Sequence, residues 1–402
     1  MNRWRGGLAL GAVALTAAVA SGSRALGVVG VGFLLASGLT WLWTWFAESP
    51  TSVAYAVDPA PATEGHRVRV AVEVRRASKV LLGSITVRAT LGRLGRRSCL
   101  LRSQGRVSHG TFDLERLPRG VYRITETEVT LGDLLGLVSV SPPLACDPVT
   151  VVVRPRLVAL DGLFSDAGSI GGDGRRLLLR RAAGFDFHSV REYEQGESLR
   201  RVHWPTSARR GQLMVKELED TAHDGVVVML DCDPSGAVGA APGSSFDVAV
   251  CAAGSILQAH VSRGRLVMFA STGRGRPVVS VRSAAADLGG ALDGLAAAEP
   301  DAPHGLARSL SGIQPSLASA GELVFVTATC DPAAFASALA LAGRRAVSLV
   351  WIDAASFAGR PSRAEPGLIR LAAHGIPTAV VRRGDDLANV LSARVFEAVA
   401  RA

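Results

Sequence analysis

Two apolar runs at the amino end, residues 6–23 and 25–46, hold a single charge between them, Arg24. Each approaches the roughly 20 residues a helix needs to cross hydrocarbon. Residues 1–50 are therefore expected to form two N-terminal transmembrane helices, a hairpin. The second run ends in Trp41, Trp43, Trp45 and Phe46, the aromatic belt of a helix leaving the bilayer. The first run also reads as a signal peptide, because Arg3 and Arg5 precede an apolar stretch that closes on Ala18, Val19 and Ala20. Both readings put the rest of the chain on the cytoplasmic side of the cell membrane. The two-span reading makes this a multi-pass protein whose soluble domains are cytoplasmic.

Residues 51–158 alternate apolar and polar side chains in segments such as "HRVRVAVEVRR", "GSITVRATL" and "VTVVVRP", with turn residues between them. Period two with frequent turns predicts an antiparallel β-sandwich-like domain. Between Thr51 and Thr130 stand fourteen basic residues against seven acidic ones. Beside a membrane span such a surface is either an attractor for anionic headgroups or a solvated arginine-rich face. Nucleic acid is not an expected partner, since the basic residues lack interleaved aromatics. Five scattered cysteines with no C-x-x-C pair point to reduced thiols. Residues 159–183 include "DGLFSDAGSIGGDGRR", which has glycines but no G-K-[ST], so they read as a linker and not as a phosphate cradle.

From residue 223 to 402 the pattern changes to continuous apolar strands alternating with Ala- and Leu-rich helical stretches. "GVVVMLD", "RLVMFAS", "PVVSVR", "ELVFVTAT", "AVSLVWID" and "PTAVVRR" are the strand candidates, and residues 245–261 a helix. This predicts an α/β doubly wound sheet, whose ligands bind beyond the strand carboxyl ends. The loop after Leu230 is "DCDPS". Its Asp231, Asp233 and Ser235 resemble the D-x-S-x-S loop of the von Willebrand factor type A domain, which holds magnesium through hard oxygens. Asp233 stands where that family has serine. Of the two later residues the resemblance requires, Thr327 fits the threonine, while Ala328 occupies the carboxylate position and Asp331 follows three residues on; the intervening loop offers Asp301 and His304. The same residues also read as caps of the following turn and helix. No resident cofactor is expected apart from magnesium at this degenerate site.

The densest charge falls in residues 184–222, within "GFDFHSVREYEQGESLRRVHWPTSARRGQLMVKELED". Gly196 allows a tight turn and Ser198 an N-cap. Leu199 and Val202 make one short apolar face before Pro205 interrupts the helix, and Leu213 with Val215 alternates as a strand does. Balanced guanidinium and carboxylate groups around Tyr193 and Trp204 suit bidentate pairs and stacking. They serve either as an internal ion-pair network or as a docking face. Taken whole, the block resembles the signature of domain of unknown function family 58, through Phe187, Arg191, Glu192, Tyr193, Gly196, Arg200, Arg201, Trp204, Ser207, Ala208, Arg209, Leu213 and Val215. Pro205 departs from it, where a basic residue is usual. The resemblance extends to the paired spans, "RGVY", "DLLGLV" and "VVVRPRLV". It implies a von Willebrand factor type A-like domain and a membrane-anchored adaptor working with a MoxR-type AAA+ ATPase, in cell-envelope or chaperone-like assembly of other membrane or envelope proteins. No Walker loop, G-x-S-x-G or H-E-x-x-H is present, and His188 and His203 are the only histidines of the block. The chain is accordingly expected not to be an enzyme. The alternatives are a metal-dependent catalyst at Asp231 and Asp233, or a passive envelope scaffold.

Overall fold

Apolar residues without proline carry the amino end into two helices, α1 (Trp4–Ser21) and α2 (Arg24–Phe46). The computed structural model describes residues 4–46, 50–76, 83–133, 135–144, 146–165, 186–192, 204–219, 225–275, 278–281, 286–310, 320–343, 345–363 and 365–392. Within α2 the stretch Arg24–Trp43 is long and apolar enough to cross a membrane, whereas α1 is a shorter apolar helix. The turn between them uses Gly22 at φ +65°. Gly11 and Gly30 let the backbones approach closely: a Cβ on Gly30 would stand 3.1 Å from Gly11 O and 3.0 Å from Leu15 N. The chain then divides into two units, Met1–Arg156 and Leu157–Ala402.

In the first unit nine strands form one sheet, eight of them on a single hydrogen-bonded path and one, β8, off it beside β7. They are β1 (Pro50–Asp58), β2 (Ala62–Thr63), β3 (Val68–Arg76), β4 (Ser84–Leu91), β5 (Arg96–Gln104), β6 (Val107–Leu114), β7 (Gly120–Gly132), β8 (Ser139–Val140) and β9 (Val149–Arg154). Pairing is antiparallel as expected, apart from the short parallel pair β2–β9. Strand β5 joins the halves, pairing β4 through its first residues and β6 through Arg102, Ser103 and Gln104. Alternation buries Val68, Val70, Val72 and Val74 against Ile85, Val87, Leu101, Phe112 and Ile124 in one core.

One corner of this core is tied by Tyr122. Its hydroxyl donates to Pro118 O at 2.8 Å, and the Arg93 guanidinium lies 5.1 Å over its ring and donates to Arg119 O at 2.9 Å. Gly120 has φ +152°, a backbone conformation that L side chains rarely adopt, and a Cβ there would also displace the Arg93 guanidinium. Tyr122→Phe leaves the half-buried Pro118 carbonyl without this donor, an expected cost of about 1 kcal/mol. Hydrogen exchange of β7 and β9 amides in the detergent-solubilised chain reads this as several-fold faster local opening.

The second unit holds a six-stranded sheet in the order β14-β13-β12-β15-β16-β17. The strands are β12 (Gly225–Leu230), β13 (Val267–Ser271), β14 (Val278–Val281), β15 (Ala320–Thr327), β16 (Ala346–Ile352) and β17 (Thr378–Val381). All pairs are parallel except β13–β14. The cause of that reversal is simple: the few residues joining β13 to β14 are too short for the crossover a parallel pair requires. Helices cover both faces, which is why β12 reads as an unbroken apolar run. Val226, Val228 and Leu230 face α4 (Ser245–Ser262), α5 (Ala286–Ala297) and α9 (Leu387–Ser392). Val227 and Met229 face α6 (Pro332–Ala342) and α8 (Pro366–Ala373). Helix α4 starts in a capping box, with Ser244 Oγ accepting from Asp247 N at 3.1 Å and Asp247 Oδ2 accepting from Ser244 N at 3.2 Å.

One expectation changes here. Residues 159–165, placed in a linker, belong to the α/β unit. Leu163 and Phe164 are core residues, and Val158 N donates to Ser255 Oγ of α4 at 3.0 Å. The short helix expected through Leu199 and Val202 lies outside the described residues; Pro205 sits in the first turn of α3 (Trp204–Arg210), where its missing N–H costs nothing. This helix precedes β11 (Met214–Glu219), which pairs antiparallel with β10 (Asp186–Glu192) in a separate two-stranded sheet.

Candidate functional site

The central strand β12 delivers Asp231 to the carboxyl end of the sheet, where its N–H still donates to Val326 O at 2.8 Å. The side chain is 4% exposed. Burying a carboxylate is costly unless donors surround it, and donors arrive from three loops. Asp231 Oδ2 accepts from Thr327 Oγ1 at 2.7 Å and Thr329 Oγ1 at 3.0 Å, both after β15. Oδ1 accepts from Thr272 Oγ1, after β13, at 3.2 Å and from Asp233 N at 3.2 Å. Thr272 Oγ1 in turn accepts from Cys232 N at 2.8 Å. Burial pushes the Asp231 carboxyl above the ordinary range, and the Thr327 and Thr329 hydroxyls pull it partly back.

Nearer the surface, Asp233 Oδ1 accepts from Ser235 N at 2.8 Å and Ser235 Oγ at 2.7 Å, capping a short 3₁₀ turn. Asp231 and Asp233 thus have different surroundings: one closes the loops together, the other caps. The loops pass closely, and a Cβ on Gly236 would lie 2.9 Å from the Ala328 Cβ. Ala328, at the position where the type A resemblance asks for a carboxylate, packs its methyl into the core cluster. Asp331 is occupied as the cap of α6, accepting from Ala333 N at 2.9 Å. Asp301 accepts from Arg274 N at 3.1 Å, and His304 is exposed. Burial lifts the Cys232 thiol to about 11, so it is no thiolate nucleophile at neutral pH.

Asp231, Asp233, Ser235 and the threonines are hard oxygens of the kind magnesium takes. A cation bound by Asp231 would take oxygens that four donors now hold, and among the described residues no three His, Cys, Asp or Glu side chains converge. Sequence reasoning found Thr327 and missed Thr272 and Thr329. Their signal was a hydroxyl directly beyond a buried parallel strand, a place where a side chain meets neighbouring loops. At the end of β16, Asp353 follows the same rule, accepting from Ala355 N at 3.1 Å to cap α7 (Ala354–Phe357).

The second candidate region is the charged block. Arg191 and Glu192 close β10, in register with Val215 and Met214. Tyr193, Gly196, Arg200 and Arg201 lie outside the described residues. Ser207 is buried, and its hydroxyl accepts from Met214 N at 2.9 Å and lies 3.4 Å from Met214 O, which pins α3 to the start of β11. Trp204 is 62% exposed on this pinned helix. Arg209 and Arg210 are exposed at its end, and Leu213 is exposed in the turn that follows. An exposed indole beside guanidinium groups on a fixed element has the composition of an interface anchor.

The uncharacterized protein YeaD of Bacillus subtilis (strain 168) is 26% identical over 198 residues, 49% of this chain and 48% of that protein. The chain thus spans about half the length of this curated relative. Among solved structures, a family 76 glycoside hydrolase from a bovine Bacteroides thetaiotaomicron strain covers 37% of this chain and 26% of its own at 12% identity, with a TM-score of 0.16. A Paenibacillus cycloisomaltooligosaccharide glucanotransferase covers 76% and 49% at 10% identity, with a TM-score of 0.20. Neither likeness bears on fold or chemistry. Over residues 189–353, from the middle of β10 to the end of β16, the chain matches the family described as "Protein of unknown function DUF58".

Proposed function

We propose that this chain is a membrane-anchored, non-enzymatic adaptor whose α3–β11 segment docks a MoxR-type AAA+ ATPase. The observation that carries the reading is the exposed Trp204, with Arg209, Arg210 and Leu213, on a helix that Ser207 locks in place. Tryptophan and arginine are the residue types enriched among the anchors of protein interfaces. The strand order with its antiparallel edge supports a von Willebrand factor type A-like domain, and a pair of spans through α1 and α2 supplies the anchor, with both soluble units in the cytoplasm. In this scheme ATP belongs to the partner, and the clients are other membrane or envelope proteins.

A second reading, a metal-dependent catalyst, draws on the oxygen cluster of Asp231, Asp233 and Ser235. Affinity purification of the full chain from detergent extract, with and without ATP, separates these readings. Recovery of a MoxR-type ATPase in stoichiometric amount is the expected result. Its absence under both conditions overturns the adaptor reading and leaves a passive scaffold or the catalyst.

A further inference from the structure

At the end of β7, Asp133 closes a turn. Its N–H donates to Val138 O at 3.2 Å, and its Oδ1 accepts from Val138 N at 3.0 Å. Turn tips ordinarily carry Gly, Asn, Asp and Ser. Here the sequence between these anchors is Leu-Leu-Gly-Leu, with Gly136 at φ +67° and Leu135 53% exposed. Among the described residues of the nine strands and their turns, the exposed large apolar side chains are Leu100, Val121 and Leu135.

The position of this turn is fixed by a second observation. Asp133 Oδ2 lies 3.2 Å from the hydroxyl of Thr40, inside α2. That hydroxyl also lies 2.8 Å from Ala36 O, so its one proton is shared. Trp43, about 4.5 Å further along the helix axis at ~1.5 Å per residue, packs against the β core. The turn therefore stands level with the last residues of the Arg24–Trp43 stretch, beside the exposed Leu39 and Leu42. A carboxylate at that depth is tolerated only when it is enclosed and hydrogen-bonded, and Asp133 is buried with both kinds of partner.

We infer that the turn carrying Leu135 and Leu137 enters the headgroup–hydrocarbon boundary of the bilayer that α2 crosses, as a second, monotopic contact beside the span. The inference rests on the reading of α2 as membrane-spanning. Leucine side chains at this boundary gain from leaving water, and the β unit is thereby held against the surface at two points. The wedge adds to the hold that Trp43 and the Thr40–Asp133 hydrogen bond already give the β unit on α2.

The test uses the full chain in lipid nanodiscs, with a small fluorescent amino acid inserted by codon suppression at position 135, 121 or 35. Val121 lies at the opposite end of the 13-residue strand β7, roughly 40 Å away at ~3.3 Å per residue. Leu35 is exposed on α2. Quenching by spin-labelled lipid and by aqueous iodide is measured at each. Position 135 is expected to be quenched by lipid carrying the label near the glycerol, and to be several-fold less open to iodide than position 121. Lipid quenching at 35 together with free iodide access at 135 overturns the inference and leaves the span intact. Protection of 135 from both quenchers means that protein covers it, a second copy for example, and also overturns it. No lipid quenching at 35 sinks the membrane reading itself.

Discussion

Asp231→Ala is expected to destabilise the carboxyl end of the six-stranded sheet by about 3 kcal/mol, since buried groups that lose a shared partner keep their desolvation cost. Three threonine hydroxyls and the Asp233 N–H all converge on this carboxylate. Thr272 and Thr327 are buried with it, so water does not readily replace what the mutation removes. Hydrogen exchange of β12 and β15 amides in the solubilised chain measures the effect, as local opening roughly 100-fold more frequent at 1.4 kcal/mol per decade. Unchanged protection means that the three loops hold together without Asp231, and the picture of a hydrogen-bonded closure is then wrong.

Asp231→Asn separates the shape of the cluster from its charge. The amide keeps one oxygen to accept and presents an NH₂ that the hydroxyls accept from, so its expected cost is smaller, about 1 kcal/mol. It also removes a titration. Burial raises the folded-state pKa of Asp231 above its unfolded value of about 3.9. The folded chain therefore holds this proton over a pH range in which the unfolded chain has lost it. The stabilisation is full below about pH 3.9 and is lost as pH rises through the folded value. Relative to the Asn variant, the natural chain should gain stability as pH falls from neutrality toward 4, and the gap should be flat above. Magnesium at millimolar concentration should leave both curves unchanged if the cluster is purely a closure. A magnesium-dependent gain confined to the natural chain is the signature that favours the metal reading.

The apolar run 226–230 announced a buried parallel strand because period two disappears when both faces are covered, and Thr327 was marked as a partner of the Asp231 loop only through the type A resemblance. Other features had no such signal. Leu163 and Phe164 are two apolar residues among Gly, Asp and Ser, too few to show a period, and only the contact with α4 makes them core. The reversal of β14 is written in a loop length, which pattern reading weighs less than the strand itself. Pro205 lies one residue past Trp204, where a helix tolerates it, and a proline read from sequence does not separate the end of one helix from the first turn of the next. In the signature, spacing marked Ser207 and Trp204 equally. The structure assigns them opposite tasks, one buried as a lock and one exposed.

That division sets the last prediction. Under the adaptor reading proposed above, Trp204→Ala is expected to weaken binding of a MoxR-type ATPase by about 2 to 4 kcal/mol, roughly 30- to 1,000-fold, the range of an aromatic anchor at an interface centre. The fold should be unaffected, because the indole leaves so much of its surface in water and Ser207, not Trp204, bonds to β11. Protection of the Met214 amide in hydrogen exchange is the internal control. Arg209→Glu should act differently: a rim guanidinium steers encounter, so its reversal lowers the association rate and flattens the salt dependence more than it speeds dissociation. Ser207→Ala should lose the Met214 protection and binding together, since α3 is then free of the strand that presents it. Association of the ATPase with nanodisc-held chain, followed by interferometry at two salt concentrations, distinguishes the three. If Trp204→Ala binds as the natural chain does while Ser207→Ala fails, the segment is an internal fastening and the partner docks elsewhere.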